Sequence, residues 1–149
     1  MISASVNLAD VRRLERRLKA LAGQPARHAM RRATGNAATP MVKAAKRLVP
    51  RDTDLLWESL GKKGVTYKQS GTVLVLVGPR ASVKGTDIYG HKRWPVKYAH
   101  MVEFGTRHSA AKPFLRPAFD ATAGRAREQM VTLGLKEIEK EARKLAARG

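Results

Sequence analysis

Cysteine is absent from the 149 residues. That excludes disulfides, thiolate metal sites and a cysteine nucleophile, and it suits a chain made in a reducing cytoplasm. Aromatic residues make up only 5%, so a core must be built mostly from Ala, Val and Leu. Long apolar runs are missing too. The longest, Val73-Leu74-Val75-Leu76-Val77, falls far short of the ~20 residues that span a bilayer. The start, Met1-Ile2-Ser3-Ala4-Ser5, lacks the basic and apolar stretches of a signal peptide. No membrane partner is expected. Acidic residues are scarce, 12 against 30 Lys and Arg, for a net charge of +18.

The excess charge is uneven. Residues 1–51 carry 12 Lys and Arg against 2 Asp and Glu. Such a field attracts nucleic acid or an acidic protein surface, and charge alone does not choose between them. The length fits a single domain, 1–149, large enough to bury a sizeable core.

Residues 8–22 read as an amphipathic helix, with Leu8, Val11, Leu14, Leu18 and Leu21 on one face. Asn7 is its expected N-cap, and Gly23 and Pro25 its end. Arg12, Arg13, Arg16 and Arg17 are either a solvated face or a contact for a polyanion or acidic partner. Residues 26–48 form a second helical stretch, with a break expected near Thr39 because Pro40 lies inside it. A short helical turn is expected over 52–60, capped by Asp52, Thr53 or Asp54 and stopped by Gly61.

Val65-Thr66-Tyr67 and residues 72–77 then read as a β-hairpin turning at Ser70-Gly71. The second strand is apolar at nearly every position, which predicts cover on both faces. Residues 79–95 read as a long basic loop, with Lys92 and Arg93 beside Trp94 as its best polyanion contact. The pattern over Tyr98–Phe104 does not separate helix from strand. From Pro113 the chain turns helical, with Pro117 in the first turn. The apolar stripe runs to about residue 147, unless Gly124 or Gly134 breaks it.

No catalytic constellation emerges. His28, His91, His100 and His108 match no zinc spacing. Ser59, Ser70, Ser82 and Ser109 lie in no nucleophile elbow, and the glycines form no phosphate-binding pattern. Glu103 is an acid in an apolar setting without a second carboxylate nearby in sequence, which favours a structural role, paired with Arg107, Arg116 or backbone amides, over acid catalysis. No catalytic residue, metal or cofactor is expected. Trp57 sits among leucines and reads as core, and no nucleic-acid-binding motif is present.

Two segments carry a resemblance. Tyr98-Ala99-His100-Met101-Val102-Glu103-Phe104-Gly105-Thr106 is followed by Lys112-Pro113-Phe114-Leu115-Arg116-Pro117-Ala118-Phe119-Asp120. Together they resemble the core signature of the gene-ten-type morphogenesis proteins of tailed phages and prophages. Upstream, Val49-Pro50-Arg51-Asp52-Thr53-Asp54-Leu55 is similar to that family's Val-Pro-x-x-Thr-Gly-x-Leu segment, with Asp54 standing where the family has Gly. The resemblance covers roughly residues 8–125.

It implies an α+β fold, a small antiparallel or mixed sheet packed by N-terminal helices and a long C-terminal helix. It also implies a structural protein of the virion neck, for tail completion or tail termination, assembled in the host bacterial cytoplasm. The implied partners are further copies of itself in a ring, taken as a hexamer, the head-closure or connector protein, the tail tube protein, and DNA in the channel. Within the signature, Glu103 is expected to pair with Arg116 and so order the loop. Residues 79–95 and both termini are the expected contacts between subunits. The alternative is a small basic protein binding nucleic acid without sequence preference. A hydrolase using Glu103 or a histidine is a remote third reading.

Overall fold

The computed structural model describes residues 7–148. The fold is α+β, with six helices and two short two-stranded sheets among these residues. The chain forms two compact units. One comprises the chain up to Thr39, Lys63–Leu76 and everything from Ala123. The other comprises Pro40–Lys62 and Val77–Thr122. They are called here the terminal unit and the central unit. The extreme N-terminus, one of the expected subunit contacts, lies outside the described residues.

The terminal unit is built on α1 (Leu8–Leu21), α2 (Gly23–Ala37) and most of a long final helix, α6 (Leu115–Ala146). Asn7 caps α1, its side chain accepting from the Ala9 amide at 2.9 Å. Leu14 is buried with Ala29, Val131 and Ile138, and Leu18, Leu21, Met30 and Leu135 pack around them. Ala33 and Ala37 continue the buried face of α2. Small side chains at these positions let helices approach closely without aromatic filler. Leu8 and Val11, the first residues of the expected apolar face, stay exposed.

Gly134 does not break α6, and neither does Gly124; the helix runs unbroken for 32 residues. The reason at Gly134 is packing. A methyl group there would stand 3.1 Å from Leu14 Cδ1, so the missing side chain makes room for the neighbouring helix and the packing offsets a helix-propensity cost of about 1 kcal/mol.

The central unit contains α3 (Thr39–Leu48), α4 (Leu55–Ser59) and α5 (Pro95–Phe104), with the first turns of α6. The expected break before Pro40 falls at Ala38, so Pro40 sits in the opening turn of α3, where its missing donor costs nothing. Ala45, Val49, Leu56, Leu60, Ala99, Phe114 and Ala118 form the core. Trp57 packs only against its edge, half-buried, with Lys46 and Arg51 over its ring at 4.2 and 4.6 Å. The undecided Tyr98–Phe104 segment is helical.

Two strand expectations need correction. Gly61 does not stop a helix, because α4 passes directly into β1 (Leu60–Thr66), five residues earlier than its β-branched pattern begins. Its partner β2 (Val73–Pro79) is not covered on both faces. Leu74 and Leu76 are 43% and 57% exposed, while Val73, Val75 and Val77 are half-buried. Alternate residues of a strand face opposite sides, and in this ribbon only the valine side is partly covered.

The 79–95 segment is not structureless either. It holds a second small hairpin, β3 (Gly85–Thr86) against β4 (Lys92–Arg93), antiparallel with Gly85 opposite Arg93. Its turn is organised by a side chain rather than by apolar pairing, which explains why hydrophobic pattern gave no sign of it. Asp87 Oδ1 accepts from the amides of Tyr89 and His91 at 3.0 and 2.9 Å, and Oδ2 from Arg93 Nε at 3.0 Å.

Candidate assembly site

The signature lies wholly within the central unit. At its centre Glu103 is 6% exposed. Its expected partner, the Arg116 side chain, makes no ion pair with it. The carboxylate instead accepts three backbone amides, Phe114 and Leu115 on Oε2 at 2.8 and 2.9 Å and Arg116 on Oε1 at 2.9 Å. These are the amides that open α6, whose positive dipole end favours an anion. Pro117 comes next and has no amide to satisfy. Glu103 and Pro117 together therefore account for the first four positions at this helix start.

Burial works against the Glu103 charge. The three amides, helped by the Arg116 charge, outweigh it and hold the carboxyl below its ordinary value. A carboxylate so held is a poor proton donor, the reverse of what a general acid requires.

The rest of the signature fixes the loop between α5 and α6. Gly105 ends α5 at φ +77, and a methyl group there would lie 2.7 Å from the Ala111 amide nitrogen. Only glycine fits, by backbone angle and by space. Thr106 and Ser109 bridge the loop, with the Thr106 amide donating to the Ser109 carbonyl at 2.8 Å. The Lys112 amide donates to the Val102 carbonyl at 2.8 Å. Phe114 is fully buried against Ala99 and Ala118, and Leu115 packs beside it. Pro113 and Arg116 face solvent.

The upstream motif joins the same unit. Tyr98 is hydrogen-bonded to the Thr53 side chain, and burial raises its phenol above the ordinary value. Asp54 adopts φ +53, a left-handed conformation. The glycine expected at this position would take it freely. Aspartate tolerates it better than most residues, and Arg51 Nε donates to its Oδ1 at 2.7 Å. Its side chain makes no capping bond to α4.

Around this ordered frame, several apolar side chains have no cover among the described residues. Phe104 is 74% exposed, and Met101 and Phe119 are about half exposed. On the β3–β4 turn, Ile88 and Tyr89 are 85% and 77% exposed.

The basic residues divide. Arg12, Arg13, Arg16 and Lys92 are exposed and form no ion pair among the described residues. Arg17 is paired with Glu139, and Arg93 with Asp87. Sequence reasoning missed Arg32, which bridges Glu137 and Glu141. The only local sign was two acids four apart on one helix face. It also missed Arg80, whose guanidinium reaches the carbonyls of Ser59 and Glu58 at 3.4 and 3.2 Å.

Among the described residues no group of three His, Cys, Asp or Glu is placed to hold a metal, and no helix is long and apolar enough to cross a membrane. No curated protein and no solved structure matches the chain. A family model described as "Bacteriophage HK97-gp10, putative tail-component" matches residues 12–105. That match includes most of α1, both hairpins and the first half of the signature, and the chain belongs to this HK97-gp10-like family of phage tail components.

Proposed function

We propose that the chain is a structural virion protein of the head–tail junction, without enzymatic activity. It acts in tail completion or termination. Copies assemble into a ring, hexameric on this reading, that joins the capsid connector to the tail tube around the DNA channel. Family membership supports the tail role in general. The observation that carries the ring is the β3–β4 turn, which offers Ile88 and Tyr89 almost entirely to solvent. Two large apolar side chains held out on a turn locked by Asp87 are suited to insert into a neighbour. The order of the turn lowers the entropic cost of docking.

The test is the mass of the purified chain in solution, with particles imaged by negative-stain electron microscopy. A ring with a central opening is expected for the native sequence. The double substitution Ile88→Ser and Tyr89→Ser should shift it to monomer while leaving the circular dichroism spectrum unchanged. A native chain that stays monomeric at every concentration, yet binds DNA tightly, would favour the rival reading of a small basic nucleic-acid-binding protein.

A further inference from the structure

In the terminal unit, ion pairing sorts the charges. Four of its six described acids are engaged by cations of the same unit: Glu15 by Lys19, Glu139 by Arg17, and Glu137 and Glu141 by Arg32. Among the described residues of this unit, eight cations on α1 and α6 have no such partner, Arg125 and Arg127 near the start of its α6 stretch and six more. Arg12, Arg13 and Arg16 stand exposed on α1, and Lys136, Lys140 and Arg143 stand exposed on α6. The three on α6 recur at spacings of four and three, so they share one helix face. With Glu139, Lys144 and Ala147 they line a shallow, open groove. The two helices are neighbours within the unit, since Leu14 packs on Val131 and Ile138 and Arg17 reaches Glu139.

We infer that these exposed cations of α1 and α6 bind the phosphate backbone of double-stranded nucleic acid without reading its sequence. Three features select that partner. The cations form two rows rather than a pocket, which suits a polymer carrying one charge per about 1.7 Å of duplex axis. Arginine supplies four of the six, and its planar fork matches phosphate. None of α1, α2 or α6 beyond Phe119 carries an aromatic residue. Single-stranded binding relies on aromatic stacking, and protein interfaces on aromatic anchors, with lysine depleted. Arg12 and Arg16, four apart on one helix, also repel each other, a cost of a few tenths of a kcal/mol that a bound polyanion offsets. The inference goes beyond the assembly reading and does not require a ring.

The experiment is fluorescence anisotropy of the full chain with a labelled 30-base-pair duplex from about 50 to 200 mM salt. Six phosphate contacts predict a log–log salt slope of about −5 and roughly a thousandfold loss of affinity over that range. Arg12→Gln, Arg13→Gln and Arg16→Gln together should reduce the slope by about three. Removing three exposed cations of the central unit instead, Lys97→Gln, Arg107→Gln and Lys112→Gln, should leave it nearly unchanged. Equal weakening by both sets would overturn the assignment, because net charge would then be the cause. So would a single strand or poly-glutamate binding as tightly as the duplex, the latter pointing to an acidic protein. Oligomeric state measured in the same samples keeps this result separate from the fate of the ring.

Discussion

The two units use carboxylates in opposite ways. In the central unit one glutamate, Glu103, is buried and spends its charge on the backbone amides that start α6. In the terminal unit Glu137, Glu139 and Glu141 lie on one stretch of α6 and take arginines from α1 and α2. A carboxylate on backbone amides fixes where a loop enters a helix, and it leaves no freedom of partner. A carboxylate on a long arginine fixes less, because exposed pairs contribute little and the arginine can move. The central unit is therefore built for a defined local shape, and the terminal unit for a charged surface on a plain helical core.

Substitutions should separate the two. Glu103→Ala is expected to have the largest effect. It leaves three amides at a buried helix start without their acceptor, a loss of about 3 kcal/mol, or roughly 6–12 °C in Tm for a chain of this size. An unchanged melting curve would mean that the cap is incidental. Arg32→Gln should cost less despite breaking two ion pairs, about 1 kcal/mol or below, because those pairs reach the surface. A loss matching that of Glu103→Ala would erase the distinction between the units.

Asp54→Gly should change stability in the other direction. Its left-handed backbone strains a side-chain-bearing residue, so glycine should stabilise the central unit by up to about 1 kcal/mol. The exposed contact with Arg51 that is lost is worth little in comparison. Denaturant titration reads the sign directly, and destabilisation would mean that the Arg51 contact matters more than the strain.

Acid should have the smallest and most local effect of the four. The Asp87 carboxyl is held at about 2, with the His91 and Tyr89 amides and Arg93 outweighing the opposing effect of burial. Because its folded value is depressed, its contribution is complete above the ordinary carboxylate range and is lost as pH falls through about 2. The amide resonances of Tyr89 and His91 should therefore hold steady at mildly acidic pH and move only near that value. A midpoint near 4 would show that the turn does not stabilise the charge.

Much of the helical architecture was legible locally. The period of α1, its Asn7 cap and the break before Pro40 each depend on residues close in sequence. Pro117, expected in the first turn of the last helix, stands there in α6. Other features depend on distant partners. Gly134 is tolerated because Leu14 lies against it, and Arg32 finds its glutamates more than a hundred residues away. Glu103 was legible as structural, with backbone amides among its expected partners, but the choice of the amides over Arg107 or Arg116 is set by where the fold starts α6. The β3–β4 hairpin was hidden because Asp87, and not an alternation of apolar residues, holds its turn.

The central claim is that the ordered signature frame and the exposed turn at Ile88 and Tyr89 serve assembly at the head–tail junction. The most direct measurement is a density map of the neck of the particle that carries this chain. The account predicts a closed ring of copies between connector and tail tube, with the β3–β4 turn of each copy buried against its neighbour. Copies found elsewhere in the particle, or a ring in which Ile88 and Tyr89 stay in solvent, would contradict it.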